Sequence, residues 1–243
     1  MKIKFIIILG LLFLIGCSKS STELFELSKE NLKNNQDDLA VKNLEKLLEK
    51  YPNDSLASQA LYKLSTIYLN WQNDPASGLG ALDRLVKTHP ESKQAKQAKL
   101  EIEEFPDYIL NKTESLRKKE MVKEALDHLM YLTENYSNHQ LISKAQYMLG
   151  DIYMNDLRDF KTAIQEYRKV IENHKGSTQE PHALFMIGYI YANVLNDMQS
   201  AKIEYEEFLN RFPEHELSPS VKFEIEYLGK SVDEIPALKH ITT

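Results

Sequence analysis

The chain has 243 residues, is 42% hydrophobic and 27% charged, and holds only eight Gly and eight Pro, too few for a turn-rich all-β protein. Its net charge is −6, and −8 (28 basic against 36 acidic groups) once residues 1–16 with Lys2 and Lys4 are removed, which argues against a general nucleic-acid binder with a clustered basic face. A single cysteine, Cys17, rules out an intrachain disulfide and a cysteine-based metal centre.

Residues 1–16 read as a signal peptide. Lys2 and Lys4 supply a positive start, and Phe5 to Ile15 is an apolar run of eleven residues. A spanning helix needs about 20 apolar residues. The ending Leu14-Ile15-Gly16-Cys17 resembles the bacterial lipobox. The resemblance implies that the Cys17 thiol takes diacylglycerol, that the peptide is cut before it, and that the new amine is acylated with a palmitate-type chain. Several chains anchor stably where one does not. The other reading is a lone cysteine in an uncleaved anchor. Ser18, where retained inner-membrane lipoproteins often carry Asp, implies the outer membrane. Residues 17–21 then form a lipidated polar tether.

From about residue 22 to 230 the chain repeats itself. Small residues recur at Ala40, Gly78, Ala125, Ala163 and Ala201. Four residues later come Leu44, Leu82, Leu129, Tyr167 and Tyr205, and three after those Leu47, Leu85, Leu132, Val170 and Phe208. Steps of three and four lay one apolar stripe on a helix. Each stripe stops near a turn signal, with Pro at 52, 90 and 213. A preceding helix in each unit carries Ala60, Ala98, Ala145, Ala183 and Val221 in register. The steps Ala40 to Gly78, Ala125 to Ala163 and Ala163 to Ala201 are equal, and only Gly78 to Ala125, which enters the third unit, is longer, by nine. A fixed period of about 20–50 residues predicts stacked units that cannot bury their apolar faces alone. Gly150 and Gly188 fall inside first helices. They are expected to let a facing helix approach, with Ala163 and Ala201 as the small partners.

This pattern resembles the tetratricopeptide repeat (TPR) family. Leu149-Gly150 with Tyr153, then Ala163 and Tyr167, match its motif, as do Ile187-Gly188 with Tyr191, then Ala201, Tyr205 and Pro213. The expected fold is an all-α TPR α-solenoid of about five helix-turn-helix repeats. The units cover about 22–54, 55–92, 93–139, 140–176 and 178–214. A C-terminal capping helix near 217–230 follows, then a tail over 231–243. In the third unit Pro106 is expected to break or kink the first helix, with residues 107–119 as an extra or lengthened piece. Two readings of that insertion stay open, a tolerated surface insertion and a hinge.

Catalytic patterns are lacking. There is no phosphate-cradling Gly loop, no Gly-x-Ser-x-Gly elbow and no His-Glu-x2-His, so neither an enzyme, nor a cofactor, nor a metal site, nor a small-molecule substrate is expected. What is left is a binding surface. In TPR arrays the first helices line the groove. The resemblance implies a partner-binding wall at Tyr62, Tyr147, Phe185 and Phe223, with Leu100 beside them, and Thr66, Asp151, Tyr189 and Tyr227 one turn on. Aromatics there offer area and a polar handle. The alternative is that Tyr62, Tyr147 and Phe185 simply pack between neighbouring first helices.

A lipobox followed closely by five such units resembles the YfiO (BamD) family of β-barrel assembly lipoproteins. That implies a periplasm-facing scaffold on the Gram-negative outer membrane, held by its acyl chains. Its protein partners would be a BamA-type barrel, accessory lipoproteins and unfolded outer-membrane protein segments. The chain is also similar to the Tol-Pal-associated YbgF/CpoB family, which would imply Tol-Pal components and envelope constriction instead.

Overall fold

The structure is a computed structural model, and it describes residues 19–230 and Glu234. The signal segment 1–16, Cys17 and, Glu234 apart, the tail 231–243 lie outside the described residues. Among the described residues there is no strand, and twelve α-helices follow one another. These are α1 (Ser21–Lys33), α2 (Asp37–Lys50), α3 (Ala57–Ile67), α4 (Pro75–Thr88), α5 (Lys93–Glu103), α6 (Phe105–Lys118), α7 (Val122–Asn135), α8 (Ile142–Asp151), α9 (Phe160–Asn173), α10 (Gln179–Asn193), α11 (Met198–Arg211) and α12 (Ser218–Glu226). No described helix is long and apolar enough to cross a membrane. The fold is the all-α TPR solenoid class, with five hairpins and a final helix packed on α11.

The repeat is written into the backbone. Among the described residues, five other than glycine have positive φ: Asn35, Asn73, Glu120, Arg158 and Asn196, at 51–61°. Their spacing follows the ladder of small residues, equal throughout except for one longer step from Asn73 to Glu120. One lies in each turn between a first and a second helix. At Asn35 and Glu120 the turn is a Schellman motif. Gln36 N–H donates to Asn31 and Asn35 N–H to Leu32, as Met121 does to Leu116 and Glu120 to Arg117. After α8 the chain instead widens into a π-helical turn, Ile152–Asp156, and another, Tyr68–Gln72, follows α3.

Helix starts obey local rules. Ser20 caps α1, and Glu23 reaches back to it, a reciprocal capping box. Ser21, placed in the tether by sequence, is therefore the first helical residue. Asp159 accepts from the Thr162 amide at 3.1 Å, and its equivalent Asp197 accepts from Ser200 at 3.0 Å. In the third unit Glu104 separates α5 from α6, and Pro106 sits in the first turn of α6, where its missing N–H costs nothing. The longer third unit thus carries two helices, α5 and α6, before its last one, and α7 pairs with α6.

The described residues divide into two units. The first runs to Gln72 and includes Ser77–Lys99; the second holds Asn73–Ala76 and everything described from Leu100 on. The core of the second unit is the predicted ladder. Tyr167, Val170, Ile187, Tyr205, Phe208 and Val221 are all fully buried. One expectation needs correcting. The notches at Gly150 and Gly188 do not receive Ala163 and Ala201. A Cβ at Gly150 would lie 2.5 Å from Cε1 of Tyr167, and one at Gly188 2.5 Å from Cε1 of Tyr205. The absent side chains make room for whole aromatic rings one turn further along the second helix. In the second hairpin the notch is on the opposite helix: Gly78 of α4 receives Leu69.

Candidate functional site

In the second unit, α6, α8 and the start of α10 border an open cleft of about 670 Å³. Glu114, Arg117 and Lys118 come from α6. Lys144, Tyr147, Met148 and Asp151 come from α8. Asp156 follows in the π-helical turn, and Gln179 and His182 close the far side from α10. The helical period explains the α8 set. Lys144, Tyr147, Met148 and Asp151 are three or four residues apart and so share one face.

The predicted wall residues fall into separate pairs. Tyr147 and Asp151 do meet in the cleft. The Tyr147 ring packs 5.2 Å from that of Tyr167, so it both fills the repeat and faces the opening. Asp151 accepts a 2.6 Å hydrogen bond from the Tyr167 hydroxyl. Burial pushes the Asp151 carboxyl above the usual carboxylate range, against the opposing pull of the Tyr167 hydroxyl and of Arg117. Burial, with the Asp151 charge behind it, also raises the Tyr147 and Tyr167 hydroxyls. One repeat on, Phe185 and Tyr189 pack 6.4 Å apart, and Phe185 also covers Tyr205. Phe223, exposed on α12, and Tyr227, just past its end, pack 4.7 Å apart. Tyr62 and Thr66 belong to the first unit, where the Thr66 hydroxyl donates to the Tyr62 carbonyl at 3.0 Å. Leu100 is exposed.

Sequence reasoning missed the charges around Asp151. Arg117 donates to Asp156 at 2.7 Å across 39 residues, joining α6 to the turn after α8. Lys118 and Lys144 stand on the rim. A residue-type motif could not have found them, because only the stacking of one hairpin on the next brings them together. Polar links also run between repeats. Ser143 donates to Gln179 at 2.8 Å, and Arg168 donates to the buried Glu204 at 2.6 Å. The cleft therefore combines an aromatic wall, a carboxylate without a cationic partner within salt-bridge distance among the described residues, and a mixed-charge rim.

The model of the YfiO outer membrane lipoprotein family matches residues 18–154, more than half of the chain. The chain belongs to the YfiO family. A tetratricopeptide repeat model matches 144–177 and 182–215, so the last two hairpins are TPR units by sequence as well as by fold. A comparison with curated protein sequences finds no match. Among solved structures, MamA from Desulfovibrio magneticus RS-1 is 16% identical. It covers 82% of this chain and 98% of its own, with a TM-score of 0.36. YrrB, described as a TPR protein with an unusual peptide-binding site, is 18% identical over 84% of this chain and 92% of its own, with a TM-score of 0.39. Membership of the YfiO family and the TPR hairpins make the chain a protein-interaction scaffold of BamD type.

Proposed function

We propose that the mature protein is held at the outer membrane by acyl chains on Cys17, faces the periplasm, and serves as a scaffold in β-barrel assembly. Its partners are a BamA-type barrel and accessory lipoproteins. The observation that carries this reading is the family match over residues 18–154. The lipobox at Leu14–Cys17 supports the anchor. The cleft beside Tyr147 and Asp151 supports protein capture, because it presents aromatic area and a carboxylate to an incoming chain. Phe185, Tyr189, Phe223 and Tyr227, and Tyr62 and Thr66 in the first unit, extend the same reading to the other first helices.

The test is affinity capture from detergent-solubilised envelopes with the lipidated chain as bait. Recovery of a BamA-type barrel is the expected result. Recovery of Tol-Pal components instead would establish the YbgF/CpoB-type role, which the strength of the last two repeats keeps as the second reading. For the anchor, Cys17→Ala should leave the precursor uncleaved at this site and without acyl label.

A further inference from the structure

No metal pattern is visible along the chain, yet the fold assembles one. His182, in α10, lies next to His215 and Glu216, which belong to the turn between α11 and α12, a whole hairpin further along. One ligand atom from each of the three lies within 4.8 Å of the others. The two imidazoles stand edge to face, with ring centres 5.3 Å apart. His182 Nε2 is 4.0 Å from Glu216 Oε1.

The tautomer of His182 favours a metal. Its Nδ1 sits 2.9 Å from the Thr178 carbonyl. A carbonyl only accepts, so Nδ1 donates, and the neutral ring has its lone pair on Nε2, the atom 4.0 Å from Glu216. Histidine ligands are held in this way, with the second ring nitrogen donating to a backbone carbonyl. His215 is arranged differently: the Leu217 amide donates to its Nδ1 at 3.2 Å. The equivalent His139, two repeats earlier, accepts from Leu141 at 3.3 Å. Capping the next helix is thus a repeated job of this histidine. What is particular to the last repeat is the partner, since counting back from His182 by the step that separates His215 from His139 reaches Pro106, which cannot ligate.

From this we infer that His182, His215 and Glu216 form a binding site for a zinc-class divalent cation, which ties the α11–α12 turn to α10. Two imidazoles and one carboxylate suit borderline first-row ions, and three protein ligands leave a coordination position open. Tetrahedral zinc, with bonds of about 2.0–2.2 Å, needs its ligand atoms about 3.4 Å apart. The ligand atoms must close from 4.8 Å, and Glu216, with 80% of its side chain exposed, has room to rotate toward the two imidazoles. Ligation also requires His215 to release the Leu217 amide. That amide belongs to the N-terminus of α12, where water can replace the lost acceptor.

The test is calorimetric titration with Zn²⁺ of the full chain in detergent, with Cys17→Ala removing the sole thiol. The expected result is uptake of one equivalent, accompanied by a shift of the Leu217 amide resonance. Zinc affinity should fall by more than about 10-fold in each of His182→Ala, His215→Asn and Glu216→Gln, since losing even an outer-shell partner costs about 10–100-fold. His215→Asn retains an acceptor for Leu217, which guards against simple misfolding. His139→Ala, which removes only the capping role, should bind zinc as the parent does. Absence of uptake, uptake unaffected by His182→Ala, or equal loss in His139→Ala would each overturn the site.

Discussion

The fourth and fifth repeats are near copies of one another, and they solve the same packing problem in the same way. Gly150 and Gly188 each open a notch, and Tyr167 and Tyr205 each fill it with a fully buried ring. They part at the next position. Asp151 follows Gly150 and accepts the Tyr167 hydroxyl at 2.6 Å, whereas Tyr189 follows Gly188. The Tyr205 hydroxyl is left with Glu224 of α12 as its carboxylate neighbour, but not in hydrogen-bond geometry. The glycine and the ring are what stacking demands. The residue after the glycine is not part of the notch, and there the fourth repeat carries a carboxylate into a cleft.

The comparison can be broken at its common part. Gly150→Ala and Gly188→Ala should each destabilise by about 1–3 kcal/mol, because a buried ring cannot yield to a new methyl group. The two effects should be equal within error in urea unfolding. Gly80→Ala, in α4 with nothing within 4 Å of the new Cβ, should instead stabilise by up to about 1 kcal/mol through helix propensity. Unequal effects at 150 and 188 would mean that the notches are not equivalent.

It is sharpened at the part that differs. Tyr167→Phe strips Asp151 of its donor and should cost about 1.5–3 kcal/mol, the range for hydrogen bonds to charged groups. Tyr205→Phe removes a hydroxyl without such a bond and should be close to neutral.

A pH series isolates Asp151. Its folded pKa lies above the unfolded value, so the folded state binds the proton more tightly. The charged carboxylate therefore costs stability at neutral pH, and that cost is relieved as the pH falls through the raised value. Asp151→Asn should remove this dependence. The helix caps Asp159 and Asp197 titrate in the opposite sense. Their hydrogen bonds to Thr162 and Ser200 hold them below the usual range. Their contribution is present above the unfolded value and is lost as the pH falls through the lower folded value, alike in both repeats.

A further small effect is expected in the turns. Arg158 and Asn196 hold equivalent left-handed positions, and asparagine tolerates them better than arginine. Arg158→Gly should stabilise by about 0.5–1 kcal/mol, and Asn196→Gly by less, in the same unfolding experiment.

Much of this was legible in the residues. The ladder of small and bulky positions, the stop at each repeat end and the break at Pro106 are local matters, decided by neighbours three or four places away along a helix. Ser20-x2-Glu23 and the Asp159 and Asp197 caps are equally local and could have been read in the same way. The sequence by itself therefore determined that the chain folds as helical hairpins and, outside the third unit, the face each one buries. Only the tertiary structure decided what fills the glycine notches. Ala163 and Tyr167 lie one turn apart on the same face of α9, and periodicity cannot choose between them. It also decided that Arg117 meets Asp156 across 39 residues, and that His182 faces His215 from a whole hairpin away. Such pairs depend on the offset between stacked hairpins, which is set by the fit of side chains across an interface and not by any spacing along the chain.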